Sequence, residues 1–355
     1  MSRFFSDRFS ALTPYTPGEQ PKDTVYIKLN TNESPFPPSK GVCEAVAAEA
    51  ERLQLYSDPQ CRDLNKTASE HFGIDQSELL MTNGSDEILN FAFMAFGDKT
   101  HPFAFPSISY GFYPVFAALN RIPALQIPLR EDFSIDVSDY KNVDANVVIA
   151  NPNAPTGLYL DTEKIEYLVK THPMHVVIID EAYIDFGCES ALPLIRKYDN
   201  LLITRTFSKS YSLAGARLGF GMGNASLIAD LNTIKYSTNP YNVNRMTMAA
   251  GKAALEESAY YKDGCDKIIR TRERVKKSLT ELGFTVTDSK ANFLFAAHPT
   301  IGGKELYLAL RENGVLVRHF DLPSIAAYNR ITVGTDEQMD ILLQKIKAIL
   351  KGTQL

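Results

Sequence analysis

The chain of 355 residues predicts an α/β protein, with a large domain built on a mostly parallel central sheet flanked by helices and a smaller α+β domain. Two observations carry this expectation. Short apolar runs at residues 146–150, 176–179, 201–204 and 218–221 alternate with helical stretches between Gly41 and Tyr261, the pattern of an α/β sheet. Beyond them, residues 246–282 form a long amphipathic stretch rich in Lys, Arg and Glu, read as one helix linking two domains.

Taken in order, the residues up to about 38 are proline-rich and poorly periodic, which predicts an extended arm. Residues 1–40 are therefore assigned to this arm and the start of the small domain, 41–270 to the large domain and 271–355 to the small one. Within the last, 293–296 and 315–318 read as strands and 337–350 as a closing helix. Internal repeats and low-complexity tracts are absent from the sequence.

Composition narrows the classes of function. A 45% hydrophobic and 22% charged content is that of an ordinary globular protein. With a net charge of −5 and no broad basic field, nucleic acid is not an expected partner. No apolar run reaches membrane-spanning length, and Met1-Ser2-Arg3-Phe4-Phe5 lacks a signal peptide's apolar core, so a cytoplasmic address is expected. Cys43, Cys61, Cys188 and Cys265 form no C-x-x-C pair and are expected as reduced thiols. The six histidines show no metal-ligand spacing, and His172 and His175 bracket a turn; no metal is expected. Gly219, Gly221 and Gly223 follow an arginine-bearing loop rather than opening a βαβ unit, so they are not read as a dinucleotide loop.

The chemistry is carried by four segments. Lys209 stands among Thr206, Ser208, Ser210 and Ser212 just after a strand, with Arg217 eight positions later. Such a lysine can form a Schiff base with an aldehyde while hydroxyls and a guanidinium hold a phosphate, which describes a seat for pyridoxal 5'-phosphate. His175-Val176-Val177-Ile178-Ile179 runs straight into Asp180, an acid at the end of a central strand. An anion there can keep a pyridine nitrogen protonated, and Tyr183, three residues on, can donate to the ring's phenolic oxygen. Asn83-Gly84 is a turn before a helical run that Ser85 or Asp86 can cap, and a helix start is a ready phosphate seat. Asn151-Pro152-Asn153-Ala154-Pro155-Thr156-Gly157 is a polar turn directly after a strand.

In this order and spacing, the four segments resemble the fold-type I pyridoxal-phosphate-dependent aminotransferases, over nearly the whole chain. The resemblance implies Lys209 as the Schiff-base lysine, Asp180 as partner of the pyridine nitrogen and Tyr183 as donor to the phenolic oxygen. It implies Gly84, Ser85, Asp86, Thr206, Ser208 and Arg217 around the phosphate, and Tyr110 stacked on the ring. One position departs from the family, which usually has Asn before Pro-Thr-Gly where this chain has Ala154. Either Asn153 reaches in from the neighbouring position or Tyr183 acts unaided.

Within that superfamily the chain is most similar to the histidinol-phosphate aminotransferase subfamily. The segments that carry this likeness are Leu12–Tyr15, Ile27–Pro35, Leu55–Pro59, Gly314–Arg318 and Asn329–Thr335. By this resemblance Tyr56 reaches the phosphate of a neighbouring subunit, which implies a homodimer with shared sites. Arg330 binds the anionic end of the substrate with Arg318 beside it, and Tyr15 and Asn32 are further substrate contacts. The implied reaction is ping-pong transamination from histidinol phosphate to 2-oxoglutarate, the small-molecule amine and 2-oxo acid partners. Aminotransferases of aromatic or other amino acids keep the same cofactor segments, and a phosphothreonine-type decarboxylase shares the arginine logic; both remain open at this point. Regulators that use this fold carry an added DNA-binding domain, for which the chain has no room.

Overall fold

The apolar runs become the centre of a seven-stranded sheet in the computed structural model, which describes residues 2–10, 12–21 and 25–352. The first strand is the short β1 (Ile27–Lys28). The chain then contributes β2 (Leu79–Thr82), β3 (Phe103–Pro106), β4 (Ala124–Ile127), β5 (Asn146–Ala150), β6 (Val177–Asp180), β7 (Leu201–Thr206) and β8 (Gly219–Gly223) to the sheet, in the order β2-β8-β7-β6-β5-β3-β4. From β4 through β3, β5 and β6 to β7 every pairing is parallel, and β8 alone runs against its neighbours β7 and β2.

The β5 and β6 strands are buried at every position, so both of their faces must be covered by helices. The covering helices come in chain order as α1 (Lys40–Ala50), α2 (Arg62–Phe72), α3 (Ser85–Phe96), α4 (Tyr113–Asn120), α5 (Thr162–Thr171), α6 (Ala225–Thr238), α7 (Arg245–Glu256) and α8 (Ser258–Glu281). Side chains alternate across a strand, and the core divides accordingly. Val147, Ile149, Val177 and Ile179 pack with Leu64 of α2, Ile165 of α5 and Ala250 of α7. Val148 and Ile178 pack with Ile88 of α3, Phe116 of α4 and Leu231 of α6 on the other face.

The second unit is an antiparallel sheet ordered β12-β13-β10-β9, from β9 (Thr285–Val286), β10 (Phe293–Ala297), β12 (Arg318–His319) and β13 (Tyr328–Thr332), while β11 (Val315–Leu316) pairs in parallel with β1. Helices α9 (Gly303–Glu312) and α10 (Asp336–Leu350) complete it. Through β1, Leu29 enters the same apolar cluster as Leu294, Val317 and Leu342. Of the arm, Met1, Ala11 and Lys22, Asp23 and Thr24 lie outside the described residues. Among the described residues, no helix is long and apolar enough to cross a membrane.

Two elements differ from the sequence reading. The single helix expected over 246–282 is two, broken at Glu257, whose φ of −101° and ψ of 29° leave helical geometry. No Gly or Pro marks that break, so periodicity runs through it unnoticed. The single strand expected over 315–318 is split at Val317, because Val315–Leu316 serves the β1 pair and Arg318–His319 serves the antiparallel sheet.

Candidate active site

A polar cluster forms where the carboxyl ends of β5, β6 and β7 meet the start of α3, the usual ligand crevice of an open α/β sheet. The β6 strand places Asp180 in register with Ala150 of β5 and Thr204 of β7. The carboxylate is buried. Tyr113 donates to its Oδ2 at 3.1 Å and Thr204 to its Oδ1 at 3.3 Å. Burial pushes its pKa up to about 6, with the charge of Asp86 adding to the rise and the two hydroxyl donors opposing it. Among the described residues no cation pairs with Asp180. The next residue, Glu181, is locked elsewhere, in a 3.0 Å ion pair with Arg205 and accepting from Ser190 and the Ala191 N–H at 2.7 Å each.

The β7 strand ends at Thr206, whose Oγ accepts from the Ser208 N–H at 3.1 Å and shapes the turn that presents Lys209. Lys209 Nζ donates to the carbonyl of Thr31 at 3.3 Å and lies 5.7 Å from the centre of the Tyr183 ring. Arg217, at a φ of 55°, reaches Ser208 Oγ at 3.5 Å and Asp86 Oδ2 at 3.3 Å. Gly84 caps α3 at a φ of 81° with no side-chain hydrogen bond, and a Cβ there would come within 2.6 Å of the Arg217 guanidinium. The N–H groups of the first turn of α3, two hydroxyls and a guanidinium thus converge on one spot. Tyr110 is fixed beside it by donating to Asp86 Oδ1 at 2.6 Å.

These groups enclose a cavity of about 110 Å³, lined by Ser85, Asp86, Tyr110, Asp180, Tyr183, Thr206, Ser208, Lys209 and Arg217. A wider cavity of about 530 Å³ adjoins it and shares Tyr110, Ala154, Tyr183 and Lys209. Tyr15, Asn32, Arg318 and Arg330 line its walls. Arg330 donates to the Asn30 carbonyl at 3.1 Å, while its Nε is buried without a partner. Burial draws its pKa down, the ring hydroxyls of Tyr183 and Tyr15 opposing. Arg318 is held by the carbonyls of Pro17 and Thr16 at 3.2 and 3.1 Å. Among the described residues no carboxylate reaches either arginine, which leaves two cations facing one cavity.

The remaining expected residues sit differently. Asn153 is buried, with its amide spent on Ser109, Ile108 and Thr156 at 2.9, 3.0 and 3.1 Å, and it is Ala154 that lines both cavities. Tyr56 is 81% exposed, away from both cavities of its own chain, and stacks on Tyr241 at 4.7 Å. Sequence reasoning missed Tyr113 and Thr204. Tyr113 falls three residues after Tyr110 on the same helical approach, and Thr204 faces Asp180 across a strand pair whose register no local pattern reveals.

The sequence model of the family described as aminotransferase class I and II matches residues 24–346. A histidinol-phosphate aminotransferase of Brachyspira hyodysenteriae is 51% identical over 99% of this chain and 100% of its own length. One from Clostridium beijerinckii is 46% identical over 100% of this chain and 99% of its own. Among solved structures, the histidinol-phosphate aminotransferase of Sinorhizobium meliloti in complex with pyridoxal-5'-phosphate superposes with a TM-score of 0.89, at 23% identity and covering 99% of each chain, a likeness of fold.

Proposed function

This chain belongs to the class I and II aminotransferases, and we propose that it is a pyridoxal-phosphate-dependent transaminase whose amine donor is histidinol phosphate and whose acceptor is 2-oxoglutarate. The observation that carries the substrate reading is Arg330, which lines the cavity that also holds Lys209 and whose buried Nε has no hydrogen-bond partner among the described residues. A planar guanidinium binds a phosphate or a carboxylate equally well in fork geometry, which suits a phosphorylated amine and a dicarboxylic acid taking turns in one pocket.

The residues present fit the cofactor. Asp180 is a buried acid with no cation paired to it among the described residues, and a side chain at Gly84, at a positive φ, would push on the Arg217 guanidinium. In this reading the phosphate is held by Ser85, Thr206, Ser208, Arg217 and the N–H groups around Gly84, with Asp86 orienting Arg217 and Tyr110. Asp180 holds the proton of the ring nitrogen, Tyr183 donates to the phenolic oxygen and Tyr110 covers the ring. When bound, pyridoxal phosphate joins its aldehyde carbon to an amine and draws electrons from the adjacent carbon. Lys209 anchors it and then carries a proton away from the substrate's α-carbon at Nζ, returning it on the far side of the transfer. Arg330, with Arg318 and Tyr15 beside it, fixes the substrate's anionic end so that the amine faces Lys209.

Two copies are part of the same reading. In it Tyr56 reaches the phosphate of the neighbouring subunit, a reading supported by its exposure and by that of Leu53 and Leu55 beside it. Four free cysteines fit a reducing compartment such as the cytoplasm. We keep the division of the chain near residues 40 and 270; the β1–β11 pair, which ties the arm to the C-terminal unit, supports placing the arm with the small domain.

A visible-range spectrum tests the whole. The band of the lysine-bound cofactor is expected to bleach when histidinol phosphate is added alone and to return with 2-oxoglutarate. A band indifferent to histidinol phosphate would redirect the substrate to aromatic amino acids.

A further inference from the structure

Asn32 ties together three regions that are remote in sequence. It is buried and holds a φ of 56°. Its N–H donates to Thr332 Oγ at 2.9 Å, and that hydroxyl's hydrogen goes back to Asn32 Oδ1 at 3.1 Å. Its carbonyl accepts from Asn292 Nδ2 at 3.0 Å. The single hydrogen of the Thr332 hydroxyl is thus spent on the oxygen end of the amide. The NH2 end faces Tyr183 and donates to its phenol oxygen at 2.9 Å. Tyr183 is an acceptor in that bond, and its own hydrogen stays available to the cavity it shares with Lys209. Among the described residues no acceptor takes it. Across the same cavity Ala154 presents only a methyl group, and the Asn153 amide is committed elsewhere.

We propose that Asn32 is a positioning residue that aims the Tyr183 hydroxyl at the cofactor's phenolic oxygen, supplying through Tyr183 the support that the methyl of Ala154 cannot give. This rests on the reading that Tyr183 faces that oxygen. The amide that donates to the phenol also polarises its O–H and makes it a stronger donor. A stronger donor withdraws charge from the phenolic oxygen and loosens the proton that Lys209 Nζ, once joined to the cofactor, holds against it. Removing Asn32 therefore makes that proton harder to lose.

The pH midpoint of the visible band reads this directly. Asn32→Ala is expected to raise it by about one unit, a tenfold change in proton affinity, and to lower kcat with little change in KM for histidinol phosphate. In a Tyr183→Phe background Asn32→Ala should add no further shift, because the effect passes through the phenol. Adding Ala154→Asn to Asn32→Ala should move the midpoint back toward the parent. Thr332→Val, which frees the amide without removing it, should shift the midpoint the same way by less and serves should Asn32→Ala misfold. Unfolding of the cofactor-free variants monitors the fold. An unmoved midpoint, an equal shift without the phenol, or a raised KM at unchanged kcat would overturn the inference while leaving the cofactor assignment intact. A parent protein that shows no visible band with added pyridoxal phosphate would instead remove the reading beneath it.

Discussion

Asp180 is a carboxylate that the fold holds at an energetic cost until a positive partner arrives. In the cofactor-free protein its pKa of about 6 lies above the ordinary 3.8, so the folded state binds this proton more tightly than the unfolded chain does. The sign follows: its contribution to stability is full below about pH 4 and is lost as pH rises through about 6, a swing on the order of 3 kcal/mol. Asp180→Asn should accordingly make the cofactor-free protein more stable than the parent at pH 7.5, with the gap closing toward pH 4, while weakening its hold on pyridoxal phosphate. Urea unfolding at the two pH values checks this, and a gap independent of pH would show that burial of the charge is not the cause. Asp180 and Lys209 were legible in the sequence because each follows a short β-branched strand at the carboxyl end, where a sheet exposes its functional groups. The groups behind them were not: Tyr113 and Thr204 reach Asp180 only through the packing of α4 and the register of β7.

At the scale of elements, β6 and β7 are fastened at the mouth of the site by a second acid. Asp180 faces the cavity, and Glu181 turns to Arg205 of β7, which also stands 3.5 Å from Asp185. Removing one partner of a buried pair leaves an uncompensated charge, so Glu181→Ala should cost about 3 kcal/mol of stability, with Asp185 moderating the loss. Equilibrium unfolding measures it; a change within the noise would mean that Asp185 alone satisfies Arg205. The central strands were readable because burial on both faces leaves an unbroken apolar run. The edge strand β4 was not, since three of its four residues are exposed and nothing in Ala124–Ile127 alternates in a way that marks a face. The break at Glu257 escaped for a related reason: its side chain turns toward Gly41 of α1, a tertiary contact without a local signal.

For the whole molecule, the shared-site dimer proposed above has a quantitative consequence. Lys209→Ala removes the anchor in one protomer, and Tyr56→Ala removes the residue lent to the other, so each variant alone should be nearly inactive. In an equal mixture that has exchanged subunits, half the dimers are mixed, and each mixed dimer has one complete site, so about a quarter of the parental sites return. Activity that stays at the level of the separate variants would mean that Tyr56 serves its own chain. The parallel pairing of Ile27–Lys28 with Val315–Leu316, and the hydrogen bonds of Asn32 to the Thr332 hydroxyl, also set an order of assembly. Every residue lining the smaller cavity falls between Ser85 and Arg217, so that pocket can form once the large sheet has left the ribosome. The arm, made before the large sheet, has no strand to join until Val315–Leu316 emerges after it. The walls of the smaller cavity can therefore form from the large sheet alone, while the grip of Asn32 on Tyr183 and the substrate side wait for the strands of the small unit.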